Sequence, residues 1–218
     1  MKCVIFDLDG TLLYTLEDLF NAVNYTLEHF GYKKRTLEEV RNFVGNGIRK
    51  LLERSLDNSY DEAELKLMLG VFMEYYSKNA AKCTRPYDGI EEVLKFLKEK
   101  GVKIAVNSNK YDAAVKKLCE KYFKGYILSA AGEIPPIPRK PAPDGIFRIL
   151  RELNCKREDS VFVGDSLVDI QTAKNANIPC ISVSWGYCPK NVLVSNNKYI
   201  ANTPAELKKL LEQILTIK

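Results

Sequence analysis

Histidine is nearly missing from this chain: His29 is the only one in 218 residues. A Ser-His catalytic pair or a multi-histidine metal site would have to be built on it. It lies between Leu27 and Phe30 in a helical pattern, where packing or surface exposure explains it better. Long apolar runs are missing too. None approaches the ~18 residues a spanning helix needs, so no membrane association is expected. The opening stretch Cys3-Val4-Ile5-Phe6 meets Asp7 at once, unlike a secretory signal. Cysteine is present at 3, 83, 119, 155, 180 and 188, but no pair has the short gap of a zinc knuckle or a redox motif. Reduced thiols and a cytoplasmic setting are therefore expected. Neither sign of charge dominates. Lys and Arg total 33 against 28 acids, and the net +5 is spread along the chain, as in Lys98, Lys100, Lys103, Lys116 and Lys117. That pattern does not make a nucleic-acid stripe. Internal repeats and low-complexity tracts are lacking.

What remains is an ordinary globular composition, 46% apolar and 28% charged, long enough for one or two domains. Short apolar runs of the buried parallel-strand type occur at Cys3–Phe6, Val102–Val106, Tyr126–Leu128, Ser160–Val163, Cys180–Val183 and Lys198–Ala201. Helical patterns separate most of them. Ile90, Val93, Leu94 and Leu97 keep the 3.6 period after Asp88, a candidate N-cap for Glu91, and Ile146, Ile149, Leu150 and Leu153 repeat the pattern. Thr203-Pro204-Ala205-Glu206 reads as a capping box opening a last helix. This alternation predicts an α/β fold, a Rossmann-like parallel sheet covered on both faces. From about Thr15 to Ala81 the rhythm breaks, and only helices are predicted. Thr15-Leu16-Glu17-Asp18 and Thr36-Leu37-Glu38-Glu39 open two of them. The expected organisation is a catalytic core from residues 1–14 and 82–218 with a helical domain, 15–81, inserted through two linkers.

Ligands of a parallel sheet gather at the carboxyl ends of its strands. Listing the polar residues that follow each apolar run gives Asp7, Asp9 and Thr11, then Asn107 and Ser108, then Lys140 in a long loop, then Asp165, Ser166 and Asp169. Four carboxylates at one sheet edge would repel one another strongly. A hard divalent cation with oxygen ligands removes the problem. Mg2+ suits best, because it keeps waters and favours a phosphate as co-ligand. Four carboxylates, Mg2+ and Lys140 sum to one negative charge, so protonating one acid makes the site neutral before a phosphate arrives. Asp7 and Asp9, two apart at a strand end, can face one phosphorus together. One could attack while the other, protonated, donates to the leaving oxygen. Each residue alone has a plainer reading: Asp-x-Asp as a loop, Ser108 as a helix cap, Lys140 as a solvated lysine, Asp165 and Asp169 as a cap and a surface acid. Their joint placement after separate strands is what favours chemistry. Gly45-Asn46-Gly47 fits a turn or a substrate-facing loop equally well, and it lacks the third glycine of a dinucleotide fingerprint.

Phe6-Asp7-Leu8-Asp9-Gly10-Thr11-Leu12, Asn107-Ser108-Asn109-Lys110, Arg139-Lys140-Pro141-Ala142-Pro143-Asp144 and Val163-Gly164-Asp165-Ser166-Leu167-Val168-Asp169 resemble, in order and spacing, the four motifs of the haloacid dehalogenase superfamily. The helical insertion resembles its mobile cap. Phe43-Val44-Gly45-Asn46-Gly47-Ile48, Leu51-Leu52-Glu53-Arg54 and Trp185-Gly186-Tyr187 resemble its phosphoglycolate phosphatase group. The resemblance implies Asp7 as nucleophile, Asp9 as general acid and base, and Thr11, Ser108, Asn109 and Lys140 on the phosphoryl group. It implies Mg2+ on Asp7, the Asp9 carbonyl, Asp165 and Asp169. The implied activity is a Mg2+-dependent phosphatase of a small phosphorylated metabolite, 2-phosphoglycolate first. Other sugar or nucleotide phosphates, pyrophosphate and β-phosphoglucomutase-like chemistry are the alternatives. A receiver-like regulatory module shares the chemistry but predicts half the length and no insertion. The partner expected is the metabolite, not nucleic acid or membrane, and the chain is expected to be a monomer or a homodimer. Arg49, near the glycine turn, is a candidate for a substrate carboxylate. Two positions depart from the pattern: Tyr14 stands where relatives carry an acid, and Asn177 stands where a helix C-cap glycine is usual.

Overall fold

The computed structural model describes residues 2–216. In chain order the elements are β1 (Cys3–Phe6), β2 (Leu13–Tyr14), α1 (Leu16–His29), α2 (Leu37–Phe43), α3 (Gly47–Ser55), α4 (Glu62–Asn79), β3 (Arg85–Pro86), α5 (Ile90–Glu99), β4 (Lys103–Tyr111), α6 (Asp112–Phe123), β5 (Ser129–Glu133), α7 (Asp144–Glu152), β6 (Ser160–Gly164), α8 (Leu167–Ala176), β7 (Cys180–Val183), α9 (Lys190–Asn196), β8 (Ile200–Ala201) and α10 (Pro204–Ile214). The chain forms two compact units, one from the residues up to Leu13 and from Pro86 onward, the other from Tyr14–Arg85. Among the described residues no helix is long and apolar enough to cross a membrane, and all six cysteines are free thiols.

The first unit is built on a six-stranded sheet in the order β5-β4-β1-β6-β7-β8, with every pairing parallel. β1 is central and fully buried, as its unbroken Cys-Val-Ile-Phe run requires. Strand order reverses at β1, which has β4 on one side and β6 on the other, so the crevice of the sheet opens at its carboxyl end. The register pairs Phe6 with Val106 and with Val163. The polar residues that follow these three strands therefore leave the sheet at one level. Ile146, Ile149 and Leu150 of α7 and Ala173 and Ala176 of α8 pack with Ile5 and Phe162 in one buried cluster. Each of the Ile, Leu and Phe side chains contributes about 1.5–3 kcal/mol.

Two strand expectations shift. β4 does not stop at Val106 but runs extended to Tyr111, carrying Asn107, Ser108, Asn109 and Lys110 within it. The edge strand is Ser129–Glu133 rather than Tyr126–Leu128, and Leu128 lies 58% exposed ahead of it. Gly132 of this strand has no room for a side chain because α6 starts against it. A Cβ on Gly132 would lie 2.7 Å from the Asp112 amide nitrogen. Capping differs as well. α5 starts from Gly89 in the left-handed region, not from an Asp88 box. At α10 Thr203 accepts from the Glu206 amide, but the Glu206 carboxylate turns to the amide of Asn202. Asn177 takes the left-handed C-cap of α8, as asparagine can.

The second unit is the helical insertion, α1 to α4. Leu16, Leu19, Val23 and Leu27 of α1 and Leu65, Met68, Phe72 and Tyr76 of α4 are its buried stripes. Thr36 starts α2 as expected and forms a reciprocal capping box with Glu39. Thr15 does not cap α1 with its side chain. Asp18 is instead used across the unit. Its buried carboxylate accepts from the amides of Ala81, Cys83 and Thr84 and from the Thr84 hydroxyl, at 2.7–3.1 Å. These bonds draw residues 82–85 into the helical unit, so the division falls at Arg85 and Pro86 rather than at Ala81. Gly45-Asn46-Gly47 joins α2 to α3, held by Arg54 on the Phe43 carbonyl and on Asn46 Oδ1. Arg49 is held by Glu53 and Glu62 at 2.8 and 2.6 Å. His29 is exposed beside the Tyr25 and Phe30 rings, in keeping with a surface role.

Candidate active site

Asp7 follows β1 directly and its amide still donates to the Val163 carbonyl at 2.8 Å, so its position is fixed by the sheet. The chain then turns at Gly10, whose φ of +88° suits glycine. A side chain there would also collide with Asp165, because a Cβ on Gly10 would lie 2.5 Å from Asp165 Oδ2. The turn thus lets the first loop lie flat on the carboxylate that follows β6.

Asp7, Asp165 and Asp169, all buried, present oxygens within 4.8 Å of one another. Lys140 joins two of them, its Nζ donating to Asp7 Oδ1 and to Asp169 Oδ1 at 2.7 Å each. The Lys140 loop is anchored by Asn109, whose Nδ2 donates to the Lys140 carbonyl at 3.0 Å. Asp165 accepts from the Thr11 hydroxyl at 3.3 Å and from the Tyr187 amide at 2.7 Å. Asp169 closes a reciprocal cap with Ser166 at the start of α8, which leaves Oδ1 for Lys140. Asp9 stands beside this group, and Lys110 Nζ donates to its two oxygens at 2.9 and 3.1 Å.

Burial decides the electrostatics. It pushes the Asp7 carboxyl up to about 7; Lys140 opposes the rise, and Asp169 and Asp9 add to it. Burial, followed by repulsion from Asp7 and Asp169, holds Asp165 well above the usual carboxylate range. Burial disfavours charge on Lys140, but Asp169 and Asp7 together raise it above an ordinary lysine. Four carboxylates facing two buried ammonium groups leave a deficit of two positive charges. A small divalent cation supplies that charge, and a set of converging carboxylate oxygens suits a hard oxygen-seeking ion. The residues present fit such an ion.

The expected catalytic, phosphoryl-contact and metal residues all lie in the first unit, where the acids and Lys140 come together, whereas Arg49, the candidate for a substrate carboxylate, lies in the second and is paired there with Glu53 and Glu62. Thr11, Ser108 and Asn109 are engaged within the protein: Thr11 with Asp165, the Ser108 oxygen with the Lys110 amide at 3.2 Å, and Asn109 with the Lys140 loop. Sequence reasoning overlooked three groups. Lys110 changes the charge count, because it adds a second buried ammonium beside the acids. Its signal was the alternation of β4, which puts Ser108 and Lys110 on one face once the strand is seen to continue. The Tyr187 amide and the Trp185 indole, which donates to the Thr11 carbonyl at 3.1 Å, bind the loop after β7 to the first motif. Backbone donors leave no residue-type signal in a sequence.

A parallel sheet with acids and a lysine converging at its switch point, and a helical insertion after the first strand, make an α/β fold with a site suited to a divalent cation. The family model described as haloacid dehalogenase-like hydrolase matches residues 4–183, and the chain belongs to that family. It is a phosphatase. It is 32% identical over 213 residues, 97% of each chain, to the Aquifex aeolicus protein named phosphoglycolate phosphatase. It is 36% identical over 196 residues, 85% of this chain and 70% of the relative, to Phosphoglycolate phosphatase 1 of Pseudomonas aeruginosa. Among solved structures, a candidate phosphoglycolate phosphatase from Lactobacillus delbrueckii subsp. bulgaricus superposes with a TM-score of 0.92 at 36% identity, covering 98% of both chains. CbbY from Rhodobacter sphaeroides, solved in complex with phosphate, superposes with a TM-score of 0.79 at 25% identity, covering 95% of this chain and 96% of that one.

Proposed function

We propose that the chain hydrolyses the phosphate ester of a small metabolite, 2-phosphoglycolate first, through an aspartyl-phosphate on Asp7. The observation that carries this reading is the convergence of Asp7, Asp165 and Asp169 within 4.8 Å, with Lys140 bridging Asp7 and Asp169. Asp7, Asp165 and Asp169, with the Asp9 carbonyl, are the proposed holders of Mg2+. When bound, Mg2+ supplies positive charge against the phosphoryl oxygens and keeps the acids ionised. Lys140 supplies a fixed ammonium toward the same developing charge.

The Asp7 carboxylate attacks phosphorus, and the bond from phosphorus to the ester oxygen breaks. Asp9 gives its proton to that oxygen, releasing the alcohol. Water then attacks the phosphorus of the aspartyl-phosphate, Asp9 takes a proton from it, and inorganic phosphate leaves with Asp7 restored. Thr11, Ser108 and Asn109 are proposed phosphoryl contacts; Thr11 and Asn109 also brace Asp165 and Lys140. The substrate assignment rests on the names of the Aquifex and Pseudomonas relatives, and the phosphate complex of CbbY supports a phosphoryl site in this fold. The helical unit Tyr14–Arg85 is the proposed cap that selects the substrate. A monomer or homodimer working in the cytoplasm is the proposed setting.

The test is a panel of phosphorylated metabolites assayed with Mg2+. The reading expects 2-phosphoglycolate to have the highest kcat/KM, and Asp7→Asn to abolish turnover of every ester while circular dichroism stays unchanged. Turnover by Asp7→Asn would refute the nucleophile; preference for a sugar phosphate would move the substrate to the alternatives.

A further inference from the structure

Lys110 is a buried lysine whose ammonium straddles one carboxylate. Its side chain is 4% exposed, and its Nζ lies 2.9 Å from Asp9 Oδ1 and 3.1 Å from Oδ2. We propose that Lys110 is the positioning residue for Asp9, holding the carboxyl where it exchanges a proton with the ester oxygen. The inference rests on the proton-shuttle role given to Asp9 above.

Three observations carry it. The first is the division of labour between the two ammonium groups: Lys140 serves Asp7 and Asp169, and Lys110 serves Asp9. The second is the anchoring of Lys110 itself. It stands on the extended continuation of β4, and its amide donates to the Ser108 oxygen at 3.2 Å, so the stem starts from a fixed strand. The third is the backbone of Asp9, which enters the Gly10 turn and bridges to Leu13. The turn sets the main chain, while the carboxyl torsion is set by what holds its oxygens. An ammonium on both oxygens fixes that torsion. Displacing a catalytic group by about 1 Å costs on the order of 10²-fold in rate, so such a clamp matters for a group that must serve first as acid and then as base.

The alternative role for a second lysine is a direct charge on the phosphoryl group, and the two differ in what they predict. A clamp on the proton donor matters most where the leaving group needs a proton. Lys110→Met should lower kcat on an alkyl phosphate by on the order of 10²-fold, and on p-nitrophenyl phosphate by less than about tenfold because that phenolate leaves without one. KM should stay within about threefold for both, and Lys110→Arg should restore most of the lost rate. In a double-mutant cycle, Lys110→Met placed on Asp9→Asn should cost less than about twofold more. Equal loss on both esters, a loss carried by KM, or full additivity with Asp9→Asn would overturn the proposal. Each of these leaves the Asp7 reading intact, whereas wild-type protein inactive on all esters would sink that reading itself. If Lys110→Met fails to fold, Lys110→Gln is put through the same two esters and the same cycle.

Discussion

Without a bound cation, the stability of this protein should fall as pH rises. Asp7 is the group that decides it, because burial raises its carboxyl from 3.8 to about 7. The unfolded chain, with Asp7 exposed, releases this proton near pH 4, whereas the folded chain keeps it until about pH 7. Between those values the native state binds more protons than the unfolded one, so stability falls with rising pH. Each unit of displacement is about 1.4 kcal/mol, which gives about 4 kcal/mol lost across the window and little further change above it. Asp165, raised by burial and by its neighbours, adds in the same direction. In a chain of this length the loss corresponds to a fall in Tm on the order of 10 °C. A bound divalent cation replaces the proton and should cancel the loss, so the Tm gain from Mg2+ should be small near pH 5 and large near pH 8. Asp7→Asn, which cannot ionise, should melt higher than wild type near pH 8 without metal, although it is inactive. Thermal melts of chelator-treated protein across this range, with and without saturating Mg2+, read all three effects. A metal-free Tm flat with pH, or a Mg2+ gain independent of pH, would refute the reasoning.

Gly186 backs the Asp165 side chain, and a Cβ on it would fall inside the van der Waals envelope of that carboxylate. Gly186→Ala should therefore weaken Mg2+ binding at least about tenfold in calorimetric titration and cost about 1–3 kcal/mol of stability; unchanged affinity would detach this loop from the site. In the helical unit, Asp18→Ala strands the partly buried amides of Ala81 and Cys83 and the buried amide and hydroxyl of Thr84. A loss of about 3 kcal/mol in denaturant unfolding is expected, and a loss under about 1 kcal/mol would mean that water satisfies those donors.

The candidate site was legible in the sequence to the extent that it consists of side chains at strand ends. An apolar run followed by an acid marks both a strand and its carboxyl end, so Asp7, Asp165 and Asp169 could be assigned to one rim before any coordinates. Lys110 escaped because a strand was expected to stop where its residues turn polar. β4 instead stays extended through Asn-Ser-Asn-Lys, since the site itself absorbs those polar groups. The same local logic failed at Thr15 and Asp18. Their spacing suits a helix cap, yet a carboxylate facing several amides of a distant segment gains more than one facing a single local donor.

The order of residues alone determined the alternation of strands and helices, the helical insertion, and which acids lie at strand termini, because these follow from periodicity and from what water excludes. Only the tertiary structure decided which ammonium meets which carboxylate, that burial raises the Asp7 carboxyl to about 7, and that backbone amides such as that of Tyr187 complete the site. Those outcomes depend on distances of about 3 Å between groups up to 174 residues apart, as between Thr11 and Trp185. In a low-dielectric interior such distances set both charge state and orientation.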